Sequence, residues 1–273
     1  MTFLSLRLLA FAQRFVIGAR NFGLFGAIKL LWFYRVRVPA QPASIWLRRP
    51  RQRFYFRGAA DKGVMSHFCK EGYRIRDGQG GDEVRFIVDA GANIGDETTR
   101  FRFFHPDATI VALEPEPENF RLLQRNTLGN PKTITLNQGL WSRECRLAIH
   151  PGTSNESFKV SEVHDPDAAH DVVATSVGDL MRQFDVAEID ILKLDVEGAE
   201  RQIFAAKDAD WIAKVKVFVF ECPDNDAPGT TMAIFDALLR TGSTYDCQLH
   251  GENIILIRRG VPWTLDRDSF FER

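Results

Sequence analysis

Acidic residues are missing from the start of this 273-residue chain: the first is Asp61, after eleven Arg and Lys in residues 1–60. The other 24 basic residues and all 36 acidic ones follow, so a near-neutral total of -1 hides a basic N-terminus joined to an acidic remainder. Two regions with different surroundings are implied, and the balance gives no whole-chain case for nucleic acid binding. Cysteine is scarce. Cys69, Cys145, Cys222 and Cys247 are far apart and form no CxxC pair, which argues against a zinc cluster or disulfide framework and for a reducing, cytoplasmic setting. The six histidines fall in no ligand pattern, and no metal is expected. No stretch of 18 uncharged apolar residues exists, because Arg7, Arg14, Arg20 and Lys29 interrupt the apolar N-terminus; neither a spanning helix nor a secretory signal is expected. With 45% hydrophobic residues the chain is neither disordered nor fibrous and can bury a core.

Two apolar runs are present before residue 37, one from Phe3 to Val16 and one from Phe22 to Phe33, with Gly18 between them and Gly23 and Gly26 at the start of the second. They read as two short helices with a loose joint. Their Phe, Leu and Trp with interspersed Arg and Lys suit a helix lying in a bilayer interface, which would place residues 1–37 at the inner face of a membrane. Cover helices packed on the rest of the chain fit the same pattern. Pro39, Pro42 and Pro50, with Leu47-Arg48-Arg49-Pro50-Arg51, mark a candidate linker. The expected organisation is an extension and linker over 1–52, a lead-in over 53–83 with a strand at Arg53–Arg57 and a helix from Asp61 to Tyr73, a main domain over 84–260 and a tail over 261–273.

From Val84 short apolar runs (86–88, 109–113, 133–136, 189–194, 215–220) alternate with helical stretches (96–105, 117–128, 198–208, 230–241). This is the pattern of a parallel sheet covered by helices on both faces. Segments 244–249 and 254–257 read as a terminal hairpin that adds an antiparallel strand. Ligands in such sheets bind beyond the carboxyl ends of the strands. The first run continues as Asp89-Ala90-Gly91-Ala92-Asn93-Ile94-Gly95, a turn whose glycines let the backbone pass close to a ligand. Glu114, nineteen residues after Gly95 at the end of the second run, is spaced to grip two ribose hydroxyls. An adenosine-containing ligand is indicated. A dinucleotide turn needs G-x-G-x-x-G, but Asn93 stands at the middle position, and Asp89 suits an aminoacyl ammonium better than a pyrophosphate.

Val88 to Gly95, Leu113-Glu114-Pro115-Glu116-Pro117 and Leu192-Lys193-Leu194-Asp195-Val196-Glu197-Gly198-Ala199-Glu200 together resemble the FkbM-type S-adenosylmethionine-dependent methyltransferases, over residues 53–260. The resemblance implies the class I methyltransferase (Rossmann-like) fold, a seven-stranded mostly parallel sheet, here with an N-terminal helical extension. It also implies O-methylation of a sugar, glycolipid or natural product. Asp89, Gly91, Asn93 and Gly95 would then surround the methionine part of S-adenosylmethionine, and Glu114 the ribose. The segment Tyr55-Phe56-Arg57 with Asp61 and Tyr73 is similar to the family's lead-in, but Ala59-Ala60 replace its usual Thr-Ser pair, so no role is carried over.

Asp195 and Glu197 end the fourth run beside the cofactor turn, and Glu221 ends the fifth. Strand-end carboxylates face the ligand crevice. Asp195 is thus a cofactor contact as well as a candidate base, and the order for the base, from position alone, is Glu197, Asp195, Glu221. Lys193 is spaced to reach Asp195, or Asp89 on the neighbouring strand, and Glu200 reads as a helix N-terminal acid. Trp141 fits an adenine pocket or the core. The polar stretch 151–171 reads as a loop over the site. The expected partner is a small-molecule, sugar or lipid-linked glycan acceptor. A nicotinamide-dependent oxidoreductase and a non-catalytic membrane-surface protein of the same fold are the alternatives.

Overall fold

The computed structural model describes residues 3–33, 42–70, 73–77, 84–151, 158–165, 171–196, 198–205, 209–221, 224 and 227–266. Two compact units are present: Met1–Arg74 with Leu265–Arg273, and Ile75–Thr264.

In the first unit, helix α1 (Phe3–Phe33) leaves helical geometry at Gly23, φ 74° and ψ 164°, so the expected joint between two helices is a kink. The expected linker is instead part of a hairpin, β1 (Ala43–Arg48) paired antiparallel with β2 (Arg51–Phe56). The prolines and arginines misled because alternation decides here. Ile45, Leu47, Phe54 and Phe56 all point inward and are buried, while Trp46, Arg48, Arg51 and Arg53 point outward. Ile17, Phe22, Ala27 and Leu30 of α1 are buried as well, and the Phe68 ring meets Phe22 and Phe54 edge-on at 5.9 and 5.0 Å. The helix expected to run from Asp61 to Tyr73 is shorter. A 3-10 turn, Gly58–Asp61, precedes α2 (Lys62–His67), and the buried Asp61 carboxylate takes the Arg57 guanidinium at 2.6 Å.

The second unit is built on a seven-stranded sheet. Its strands are β3 (Phe86–Ala90), β4 (Thr109–Leu113), β5 (Thr133–Leu136), β10 (Ile189–Leu194), β11 (Val215–Glu221), β12 (Tyr245–His250) and β13 (Asn253–Arg258). The spatial order is β12-β13-β11-β10-β3-β4-β5, and only β13 runs opposite to the other six strands. This is the expected doubly wound class I methyltransferase arrangement, with the terminal hairpin supplying the antiparallel strand. Helices α3 (Asp96–Phe104), α4 (Pro117–Thr127), α6 (Glu200–Phe204) and α7 (Thr230–Arg240) follow strands as the alternation predicts. Helix α5 (Val177–Gln183) had no strong periodicity of its own and is opened by a Ser176–Asp179 capping box.

Strands β3 and β10 are buried along their whole length, so their charges need partners. Asp190 near the start of β10 accepts from the amides of Arg85 and Phe86 at 2.6 and 2.9 Å and from Lys216 Nζ at 2.8 Å. That end is therefore sealed, and the opposite, carboxyl end is where chain order reverses between β3 and β10.

A second, four-stranded sheet holds β6 (Gly139–Leu140), β7 (Cys145–Pro151), β8 (Phe158–Glu162) and β9 (Val172–Thr175), ordered β6-β9-β7-β8. The expected loop over 151–171 thus contains a strand. Val160 alternates with Lys159 and Ser161 in β8, a period-2 pattern too short to stand out without its partner β7. Residues 152–157 and 166–170 lie outside the described residues.

Candidate active site

The turn after β3 is tied to both neighbouring strand ends. The amides of Gly91 and Ala92 donate to the Leu113 carbonyl at 3.0 and 2.9 Å, and the Asp195 amide donates to the Ala90 carbonyl at 3.0 Å. Gly91 has φ +77°, and a Cβ there would stand 1.8 Å from the Asp195 carbonyl oxygen. Only glycine permits that approach. Asn93, at φ 48°, donates its amide to Glu114 Oε2 at 2.8 Å. The Glu116 amide and Asn119 Nδ2 bind Glu114 Oε1 at 2.9 and 3.4 Å. Burial pushes the Glu114 carboxyl up to about 7, against these donors.

Beyond the turn opens a cleft continuous with solvent. Four residues singled out in the sequence line it: Gly91, Asn93, Glu114 and Asp195. The carboxylates of Glu114 and Asp195, 81 positions apart in sequence, are thereby brought to one cavity. Leu140 and Val160 add apolar surface, and Asn119 and Gln138 add amides. Gln138 was legible by the strand-end rule, since it follows β5; Val160 was not, because it arrives from the second sheet.

The remaining candidates are placed differently. Asp89 is fully buried beneath the turn, accepting from Thr98 Oγ1 at 2.5 Å, with Lys193 Nζ 3.8 Å from its other oxygen. Burial raises its carboxyl to about 6 despite Lys193 and Thr98. Gly95 caps the start of α3 at φ +92°, where a Cβ would stand 2.9 Å from Leu123 Cδ1 of α4. Glu221, half-buried at the end of β11, pairs in register with Asn253. None of these three is among the described lining residues. Glu197 lies outside the described residues. Glu200 accepts from the amides of Val196 and Gly198 at 3.3 and 3.0 Å, closing the turn that begins α6. Trp141 is buried in the core, its amide bound to the Thr175 carbonyl.

Lys193 binds Asp195 Oδ2 at 3.1 Å, closer than Asp89. Burial pulls this ammonium down, but Asp195 and Asp89 outweigh it and hold it above the ordinary lysine range. A fixed cation under two carboxylates leaves one negative charge at the cleft floor when both are ionised.

The Methyltransferase FkbM domain family matches residues 89–240. Methyltransferase 1 of Beauveria bassiana is 32% identical over 145 residues, which cover 45% of this chain and 58% of the relative. The 31-O-demethyl-FK506 methyltransferase FkbM of Streptomyces tacrolimicus is 26% identical over 200 residues, 61% of this chain and 74% of the relative. The hexuronic acid methyltransferase AglP of Haloferax volcanii is 29% identical over 148 residues, 49% of this chain and 59% of the relative. The chain thus spans under two thirds of the length of two of these three proteins.

Proposed function

The chain belongs to the FkbM methyltransferase family, and from that membership we propose that it moves the methyl group of S-adenosylmethionine to a hydroxyl oxygen of a sugar, glycan or natural-product acceptor. One observation carries the cofactor part: Glu114, the second strand's terminal carboxylate, is clamped on the Asn93 amide and lines the same cleft as Gly91 and Asp195. A nearly buried acid beside an apolar wall of Leu140 and Val160 has the chemistry of a ribose and adenine site. A side chain at Asn93, in place of the glycine that admits a pyrophosphate, favours this cofactor over a dinucleotide. Glu114 would bind the ribose, with Gly91, Asn93 and Gly95 shaping the turn around the methionine part. In the buried position it occupies, Asp89 would act on that part through charge rather than contact.

When bound, S-adenosylmethionine supplies an electrophilic methyl group. The chain's own task is to hold the acceptor oxygen in line and to take the hydroxyl proton, worth about 10²–10⁴-fold in rate. Glu197 is the first candidate for that base, then Asp195 and Glu221. The salt bridge to Lys193 at 3.1 Å favours an electrostatic, cofactor-side role for Asp195, because it ties one carboxylate oxygen to a fixed cation. Two relatives, named as a hexuronic acid methyltransferase and a 31-O-demethyl-FK506 methyltransferase, support a sugar or natural-product acceptor. The basic, aromatic N-terminus extends the reading to a cytoplasmic enzyme at the inner face of a membrane, acting on a lipid-linked glycan.

The test is calorimetry with S-adenosylhomocysteine and NAD, followed by methyl-labelled S-adenosylmethionine offered to lipid, glycan and small-molecule fractions. Micromolar binding of the homocysteine product and label recovered as a base-stable methyl ether are expected. Binding of NAD with no response to S-adenosylhomocysteine refutes the cofactor, and label in a base-labile ester or on nitrogen refutes the acceptor class.

A further inference from the structure

The first unit carries apolar surface that its own core does not use. Leu24, Phe25, Ile28 and Trp32 recur at the spacing of one side of a helix, and they are 56%, 88%, 51% and 59% exposed. The other side of the same helix is satisfied: Ala27 and Leu30 are buried, Ile45 of β1 lies under Gly26, and Lys29 Nζ reaches the Ser44 carbonyl at 3.2 Å. Soluble monomers seldom leave four large apolar side chains side by side in water. The unit's charge says what covers them. No acid precedes Asp61, and Arg14, Arg20, Lys29, Arg48, Arg51 and Arg53 are exposed. A polyanion is called for, but a nucleic acid would leave the Phe25 and Trp32 stripe in water. An anionic lipid surface meets both demands, with acyl chains for the stripe and headgroups for the arginines.

We propose that this unit docks on an anionic membrane surface through the Leu24, Phe25, Ile28 and Trp32 face of α1, with the helix lying in the plane of the interface. Residues Phe11–Trp32 have the length, 22 residues, and the mean hydropathy, 1.3, of a membrane span. Crossing would nevertheless strip Ile17, Phe22, Ala27 and Leu30 from the positions in which they are buried, carry Arg14, Arg20 and Lys29 into hydrocarbon, and put the Gly23 kink there with its backbone groups open. In-plane docking leaves the unit intact.

The test uses the full chain and does not rest on the methyl-transfer reading, because it reads vesicle partition while S-adenosylhomocysteine binding is followed on the same samples. Deleting α1 would uncover Ile45 and Phe68, so exposed residues are replaced instead. Wild type should sediment with vesicles holding about one third phosphatidylglycerol and much less with pure phosphatidylcholine. Brominated acyl chains should quench tryptophan fluorescence, and Trp32→Phe should remove most of that quenching. Phe25→Ser with Trp32→Ser should cut partition at least about tenfold, with cofactor binding and circular dichroism unchanged. High salt should weaken binding without abolishing it. Any of four results overturns the proposal: wild type left in the supernatant, a double variant that binds like wild type, protein released only by detergent, or a double variant that turns a dimer into a monomer.

Discussion

Replacing Gly91 by alanine tests whether the active-site turn is held by contact or by backbone conformation alone, and Gly129 is its internal control. Both glycines have positive φ, +77° and +88°. A Cβ at Gly129 meets nothing within 4 Å, whereas one at Gly91 would lie 1.8 Å from the Asp195 carbonyl oxygen. At Gly129 the left-handed conformation costs alanine about 1–2 kcal/mol, offset by about 0.4–1 kcal/mol from the stiffer unfolded chain. Gly129→Ala should therefore destabilise by about 1 kcal/mol. At Gly91 the same net cost is joined by a clash that only a parting of the two strand ends, by more than about 1 Å, can relieve. That movement stretches the Asp195–Ala90 hydrogen bond and the two bonds to the Leu113 carbonyl, each worth about 0.5–1.5 kcal/mol. Gly91→Ala should thus lose about 3–5 kcal/mol, a large share of a typical domain's stability. Since Gly91 and Asp195 both line the cleft, S-adenosylhomocysteine affinity should fall with it. Urea midpoints with their slopes, and calorimetry on the fraction that stays folded, give both quantities. Equal shifts for Gly91→Ala and Gly129→Ala, with cofactor affinity intact, would refute the role assigned to the Asp195 contact.

Two further outcomes follow from the site's carboxyls. Folded Asp89 and Glu114 titrate at about 6 and about 7, against ordinary values of 3.8 and 4.5, so the folded chain keeps protons that the unfolded chain has released. Their contribution to stability is full below about pH 4 and is lost as pH rises through 6 to 7, and Glu114→Gln should remove the upper part of that slope; urea midpoints that do not fall between pH 5 and 8 would contradict it. Glu197→Gln should lower turnover at least about tenfold with cofactor affinity nearly unchanged if Glu197 takes the acceptor's proton, and equal losses in both would make it a cofactor or structural residue.

What could be read from residues in order was whatever a short segment determines. The strand, glycine turn and helix from Phe86 to Phe104 need only local rules: an apolar run, residues able to take positive φ, and a helix start. Glu114 was legible because a carboxylate at the next strand's end must fall beside that turn in any doubly wound sheet. The kink in α1 was legible from its glycines. Errors arose where the deciding neighbour is distant in sequence. Leu47-Arg48-Arg49-Pro50-Arg51 has the composition of a linker, but the burial of Ile45 and Leu47 with Phe54 and Phe56 makes it a hairpin. Lys193 had two possible partners by spacing, and only the register of β10 on β3 ranks Asp195 at 3.1 Å before Asp89 at 3.8 Å.

The N-terminal helix and the turn show the same division. Composition alone determined that the first 60 residues are basic, apolar and free of acid; which face of α1 is left outside the core was decided by tertiary packing, which buries Ala27 and Leu30 and leaves Phe25 out. Likewise, the sequence by itself determined that a glycine turn follows the first strand, because positive φ is a property of one residue. That Gly91 must remain glycine was decided by the carbonyl of Asp195, 104 positions later, and a contact between distant segments exists only once the sheet has brought them together.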